Sequence, residues 1–231
     1  METDFIYWRH HTPVGIKIEE ISGGEDKTGE LWRQMAYQVY GEYGKENFRE
    51  IGHFPNGAPF LMAASERISV SHTKGLMVIA SLAPTPDADL NGFSPLTALG
   101  VDVERKDRSQ VIKLRQRFLN DRELAEISGD DVEANVTAWT AKEALYKAMM
   151  GACPDFRDCI EISKLPVPAP QDDWIKFISS QMRPDLKDAF GEAVVRLKDG
   201  EEFNFKLFSY MSDDYVVTLA FTEDSETYKK A

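Results

Sequence analysis

The chain has 231 residues, 42% of them apolar, with 39 acids against 27 bases and a formal net charge of -12. That apolar share excludes a disordered chain, two cysteines (Cys153 and Cys159) exclude a disulfide scaffold, and the acidic charge argues against general nucleic-acid binding. No apolar run approaches the ~20 residues of a membrane span, and METDFIYWRHH has neither the basic nor the apolar part of a signal peptide. The expectation is a cytoplasmic protein with no membrane contact and two free thiols.

In chain order, residues 5–21 read as extended, with Ile16, Ile18 and Ile21 in a β-like run ended by Ser22-Gly23-Gly24. Residues 28–43 carry apolar residues at helical spacing. Asn56-Gly57-Ala58-Pro59 is a turn and Phe60–Ala63 a short strand. Arg67–Val70 and Leu76–Leu82 are expected as two strands around the turn Ser71–Gly75, and residues 84–97, rich in Pro, Asp and Gly, form a loop. Leu99–Val103 is the next strand. Gln110–Phe118 and Asp121–Ser128 are short helices, the second capped by Asn120 or Asp121, and residues 130–150 form a long helix that Gly151 ends. After Ile160–Leu165 (extended) and the loop at 166–173 come three strands, Glu192–Leu197, Phe203–Tyr210 and Tyr215–Phe221, read as a meander before a polar tail. This order predicts an α+β fold rather than a doubly wound parallel sheet.

Two segments carry chemistry. In the strand Leu99–Glu104, residues two apart share a face, so Asp102 and Glu104 present two neighbouring carboxylates. Alone, such a pair also fits an ordinary solvent-facing strand end. In Trp139–Lys147, the residues Trp139, Glu143 and Lys147 share one helical stripe, which alone also fits a surface ion pair. Together the segments offer three carboxylates, Asp102, Glu104 and Glu143. That is oxygen chemistry suited to Mg²⁺ with room left for substrate phosphates, and Lys142 and Lys147 would bracket it. No glycine-rich phosphate loop occurs, so an anionic ligand must be held by side chains and metal. Between residues 105 and 117 lie Arg105, Lys106, Arg108, Lys113, Arg115 and Arg117 against the single acid Asp107, a concentrated basic segment expected to meet an anion.

The combination of G-V-D-V-E at 100–104, W-T-A-K-E-A-L-Y-K at 139–147, the intervening R-F-L-x-x-x-E at 117–123 and S-H-T at 71–73 resembles the 4′-phosphopantetheinyl transferases, specifically the larger, monomeric, surfactin-synthetase-activating type. The resemblance implies a pseudodimer of two similar α+β halves, here 1–97 and 98–231. Each half is a small, mainly antiparallel sheet packed with a long helix, and the second carries the metal motifs. It implies Mg²⁺-dependent (or Mn²⁺-dependent) transfer of the phosphopantetheine arm of coenzyme A to a serine of an apo acyl or peptidyl carrier protein, releasing 3′,5′-ADP. By the same resemblance Asp102, Glu104 and Glu143 are the metal acids, and Glu143 and Lys147 are catalytic. Ser71, His72, Lys142 and Lys147 contact coenzyme A, Glu123 is a further acid, and the basic segment receives the carrier.

One departure is visible. Where many members of that type have G-K-P, this chain has Gly57-Ala58-Pro59, so a coenzyme-binding lysine is missing, with Lys74, Arg67 or a residue of the N-terminal helix as replacements. That departure supports an alternative, a non-catalytic relative that binds coenzyme A or a carrier. A magnesium-dependent phosphohydrolase is a third reading.

Overall fold

The structure, a computed structural model, describes residues 3–9, 12–20, 51–53, 59–61, 67–82, 98–150, 152–168 and 190–222. The expected helix at 28–43, the turn residues Asn56 to Ala58, the loop at 84–97, Gly151 and the tail lie outside the described residues.

Two sheets dominate. The first is built from β1 (Thr3–Arg9), β2 (Thr12–Glu20), β3 (Ile51–His53), β4 (Pro59–Leu61), β5 (Arg67–Thr73) and β6 (Leu76–Leu82), in the spatial order β1-β2-β6-β5-β4-β3. The second holds β7 (Leu99–Arg105), β8 (Ile160–Lys164), β9 (Gly191–Arg196), β10 (Glu202–Met211) and β11 (Tyr215–Thr222), ordered β7-β11-β10-β9-β8. Every pairing among them is antiparallel. Four helices are described: α1 (Gln110–Phe118), α2 (Asp121–Glu126), α3 (Val132–Ala148) and the single turn α4 (Phe156–Cys159). The expected α+β class holds. The single extended run at 5–21 does not: the chain reverses between Arg9 and Thr12, and the two strands pair with each other. No turn residues stand at His10-His11 to mark the break. The strand expected to stop at Val70 continues to Thr73, so the β5–β6 turn shrinks to Lys74 and Gly75, with Gly75 in the left-handed region at φ 85°.

The helix ends are written in the sequence. Asn120 caps α2 by accepting from the Glu123 N–H, and the Glu123 carboxylate accepts from the Asn120 N–H, a closed capping box. Asp131 caps α3 through the Ala134 N–H at 2.9 Å. At the other end of α3, Met150 turns left-handed, φ 53°, one residue before the glycine expected to do so.

The second sheet is buried on both faces. Along β7 the odd residues Leu99, Val101 and Val103 meet Leu76, Val78 and Ala80 of β6 and Val217 and Leu219 of β11, an apolar layer between the sheets. On the opposite face lies α3, whose buried Val136, Ala141, Leu145 and Ala148 pack with Phe203, Phe205, Leu207 and Val216. Since β7 is an edge strand, its outward N–H groups need partners. Val101 N–H donates to Ser69 Oγ (2.9 Å) and Val103 N–H to Ser71 Oγ (3.3 Å), so two hydroxyls of β5 stitch the first sheet to the edge of the second.

Gly100 sets how closely α3 approaches β7. A Cβ there would collide with the Ala144 carbonyl oxygen and come within 2.6 Å of the Ala148 nitrogen, both backbone atoms that cannot swing aside. Gly100→Ala is therefore expected to force the helix off the strand. It should cost at least the ~1–3 kcal/mol of overpacking a core, read as a lowered urea midpoint with unchanged slope. Cys153 and Cys159 are both free and buried, and burial pushes the Cys153 thiol up to about 12. Among the described residues no helix is long and apolar enough to cross a membrane.

Candidate active site

Because Gly100 lets α3 ride close over β7, the helix face bearing Thr140, Glu143 and Lys147 lies over the even residues of the strand. Asp102 is 5% exposed. Its Oδ1 accepts from Lys147 Nζ at 2.7 Å and from Ser71 Oγ at 2.7 Å. Lys147 also donates to the Val101 carbonyl at 3.2 Å. Three elements, β5, β7 and α3, thus converge on one carboxylate oxygen. The other, Oδ2, is buried with no hydrogen-bond partner among the described residues. Leaving a carboxylate oxygen dry and unpaired is costly, and both donors on Oδ1 hold the group so that Oδ2 stays presented.

Glu143 stands beside this group, half-buried. Burial pushes its carboxyl up from the usual carboxylate range, the Asp102 charge pushes it further, and Lys147 and Arg108 pull back. No hydrogen bond or ion pair holds Glu143 among the described residues. Glu104, the third acid, pairs with the guanidinium of Arg108, four residues on. The Arg108 guanidinium also lies over the Trp139 ring, 5.9 Å from its centroid. Trp139 in turn meets Phe118 edge-on at 5.0 Å.

The donor chemistry suits a hard divalent cation. There is an orphaned buried oxygen on Asp102, a second carboxylate that carries an unfavourable charge, and a third within the same strand. Among the described residues no three acidic, imidazole or thiolate side chains are drawn together as a ready-made cage. The cluster is open, with two of its acids balanced by Lys147 and Arg108.

Sequence neighbours on these elements part company. Lys142, expected beside the phosphates, is fully buried on the other side of α3. Its ammonium pairs with Glu123 at 2.8 Å and donates to the carbonyls of Ile160 (2.5 Å) and Phe156 (3.3 Å). Glu123 completes the knot by accepting from the Ile162 N–H at 2.6 Å. Lys142 and Glu123 join α2, α3, α4 and β8. Neither reaches Asp102, and the ammonium of Lys142, expected to contact the coenzyme, is spent on a buried ion pair. Adjacent helix positions differ by about 100°, and Lys142 cannot share the stripe of Glu143 and Lys147.

Ser71, expected to contact the coenzyme, turns its hydroxyl onto Asp102 and is buried, while the next residue, His72, alternates outward and is exposed. Ser71→Ala is expected to release Asp102 and weaken divalent-cation binding about 10-fold or more, as loss of an orienting partner does, measured by Mn²⁺ titration. The motifs carried no sign of two further contributors, Ser69 and Thr218, and gave Gly100 no role. Thr218 pairs with Asp102 in register and links Thr140 to Ser209 through two hydroxyl contacts of 2.7 Å.

The basic segment disperses in the same way. Arg105 pairs with Asp107 (3.0 Å) and Lys106 with Glu133 (3.4 Å). Arg115 turns inward onto the carbonyls of Leu124 and Ile127 and the Asn135 side chain. Lys113 and Arg117, four apart on α1, remain exposed.

The stretch that builds this cluster is also the stretch that a family description recognises: the model of the 4′-phosphopantetheinyl transferase superfamily matches residues 98–220, more than half of the chain. The chain belongs to that superfamily. Its activity is therefore of the phosphopantetheinyl transferase kind, and its macromolecular partner is of the carrier-protein kind. No curated protein matches the chain. In this transferase the matched stretch starts at the residue before β7 and ends within β11, so it takes in Asp102, Glu104, Glu143 and Lys147 and leaves Ser71 and His72 outside.

Proposed function

We propose that the protein transfers the 4′-phosphopantetheine arm of coenzyme A to a serine hydroxyl of an apo carrier protein, with Mg²⁺, releasing 3′,5′-ADP. The observation that carries this reading is the convergence of Asp102, Lys147 and Glu143 within the family-matched stretch, around a buried carboxylate oxygen that has no partner.

In this reading the serine oxygen bonds to the pantetheine-side phosphorus of the pyrophosphate. The bond from that phosphorus to the bridging oxygen breaks, and 3′,5′-ADP departs with the bonding pair. Glu143 accepts the serine proton. Its raised carboxyl makes it a better base near neutrality than an ordinary carboxylate. Lys147 has three N–H donors and spends two on Asp102 and the Val101 carbonyl, so the third is left for a pyrophosphate oxygen of the departing group. Asp102 Oδ2, Glu143 and, once freed from Arg108, Glu104 would hold Mg²⁺, or Mn²⁺ with its similar preference for oxygen. When bound, that cation neutralises pyrophosphate charge. His72, exposed near the end of β5, would meet a coenzyme phosphate in this reading. Ala58, the position of the missing lysine, lies outside the described residues.

For the carrier, Lys113 and Arg117 are the exposed cations of the basic segment that no ion pair among the described residues engages. Reversing both to glutamate is expected to raise the apparent KM for an acidic carrier several-fold and flatten its salt dependence. The KM for coenzyme A should be unchanged. Release of 3′,5′-ADP, followed with and without apo carrier, tests the reaction itself. Release that requires the carrier supports transfer; equal release without it makes the protein a phosphohydrolase.

A further inference from the structure

The three acids are not equally free to take a cation. Asp102 meets Lys147 through Oδ1 alone, so a cation can engage Oδ2 without disturbing that contact. Glu143 has no hydrogen bond or ion pair among the described residues to give up. Glu104 does, because the Arg108 guanidinium sits on it, its charge also reaches Glu143, and the Trp139 face supports it from below. Arg108 is 37% exposed at its side chain against 13% for Glu104. The guanidinium can therefore withdraw into solvent, whereas the carboxylate stays.

We infer that Arg108 is the internal counter-ion of the acidic cluster and competes with the divalent cation for Glu104. Without metal, the guanidinium relieves the repulsion that three neighbouring carboxylates would otherwise suffer. A cation that recruits Glu104 must displace it. By linkage the competition is mutual: bound metal frees Arg108, and any anion that captures Arg108 strengthens metal binding. A freed guanidinium is a planar, two-pronged donor matched to phosphate oxygens. Coenzyme A would then favour metal binding through this residue as well as through the metal itself. The inference rests on the metal-binding reading proposed above.

The test is titration of the full-length protein with Mn²⁺ alone, free ion being followed by its electron paramagnetic resonance signal. It compares wild type, Arg108→Ala, Arg108→Gln, Arg105→Ala and Asp102→Asn. Loss of the Arg108 pair is expected to tighten Mn²⁺ binding about two- to five-fold, the worth of a partly exposed ion pair. Arg108→Gln should do the same while keeping the length of the side chain. Arg105→Ala removes the same charge from a residue paired with Asp107, and is expected to leave the affinity where it was. A purely structural role for Arg108 would not tighten binding. Unchanged or weaker binding in both Arg108 variants, with Asp102→Asn weakened, overturns the competition and leaves the metal site standing. Equal tightening in Arg105→Ala also overturns it, since the effect is then general electrostatics. If Asp102→Asn binds as wild type does, the site reading itself fails.

Discussion

Replacing Glu143 with alanine is expected to lower turnover about 10²–10⁴-fold, the range that a positioned acid–base group contributes, while the protein unfolds at an unchanged or slightly higher temperature. The two effects separate for a physical reason. Glu143 makes no hydrogen bond or ion pair among the described residues, and burial and Asp102 oppose its charge more than Lys147 and Arg108 favour it. Removing it relieves an unfavourable interaction in the fold and deletes the proton acceptor in the reaction. Sites that work by strain of this sort commonly gain stability when the working group is lost. Turnover at saturating coenzyme A and carrier, set beside a thermal melt, checks both halves. Near-normal turnover would remove Glu143 from the mechanism.

The opposite signature is expected from the buried pair on the far side of the same helix. Lys142→Ala or Glu123→Ala strands a charge inside the protein, which typically costs about 3–5 kcal/mol, a large part of the stability of a domain. Burial already pushes the Lys142 ammonium down from its usual pKa, and the Glu123 charge opposes that shift, so neither charge is comfortable alone. The double variant Glu123→Leu/Lys142→Met removes both charges and should recover much of the loss, although the Ile162 N–H and the carbonyls of Ile160 and Phe156 then need other partners. Urea unfolding of the two single variants and the double variant measures the coupling. The variants also distinguish a structural lysine from a phosphate-binding one. Measured at low temperature, where it is folded, Lys142→Met should keep its KM for coenzyme A. A KM raised many-fold with stability intact would return Lys142 to the phosphate site.

These contrasting roles of adjacent residues mark what could be read from the sequence. The helices α1, α2 and α3 were legible from their apolar spacing, and α2 from its cap Asn120, whereas Asp131, which caps α3, was read as part of the helix. The meander of β9, β10 and β11 was legible from β-rich runs separated by turn residues. The short elements β3 and α4 were not legible: they have three and four residues, too few to show a period.

In the site, Asp102, Glu143 and Lys147 follow from the two-residue period of a strand and the four-residue stripe of a helix. What the motifs do not tell is which of two neighbours turns inward. Lys142 is next to Glu143, Ser71 next to His72, and Arg115 two positions from Arg117. In each pair the residues point different ways, and the first is turned into the protein. What no local pattern encodes is distance along the chain. The Ser71–Asp102 contact spans 31 residues and the Lys147–Asp102 contact 45. The first depends on β5 lying along the edge of β7, and the second on α3 settling against β7, which Gly100 permits by lacking a side chain.

The central claim is that the cluster around Asp102, Glu143 and Lys147 moves a phosphopantetheine arm from coenzyme A to a carrier serine. Intact mass of an apo carrier protein, after incubation with this protein, coenzyme A and Mg²⁺, tests it most directly. The account predicts a gain of one phosphopantetheine arm per carrier, abolished by EDTA, restored by added Mg²⁺ and lost with Glu143→Ala. No gain on acyl or peptidyl carriers, with coenzyme A still bound, would contradict it and leave a protein of this superfamily that holds the coenzyme without transferring its arm.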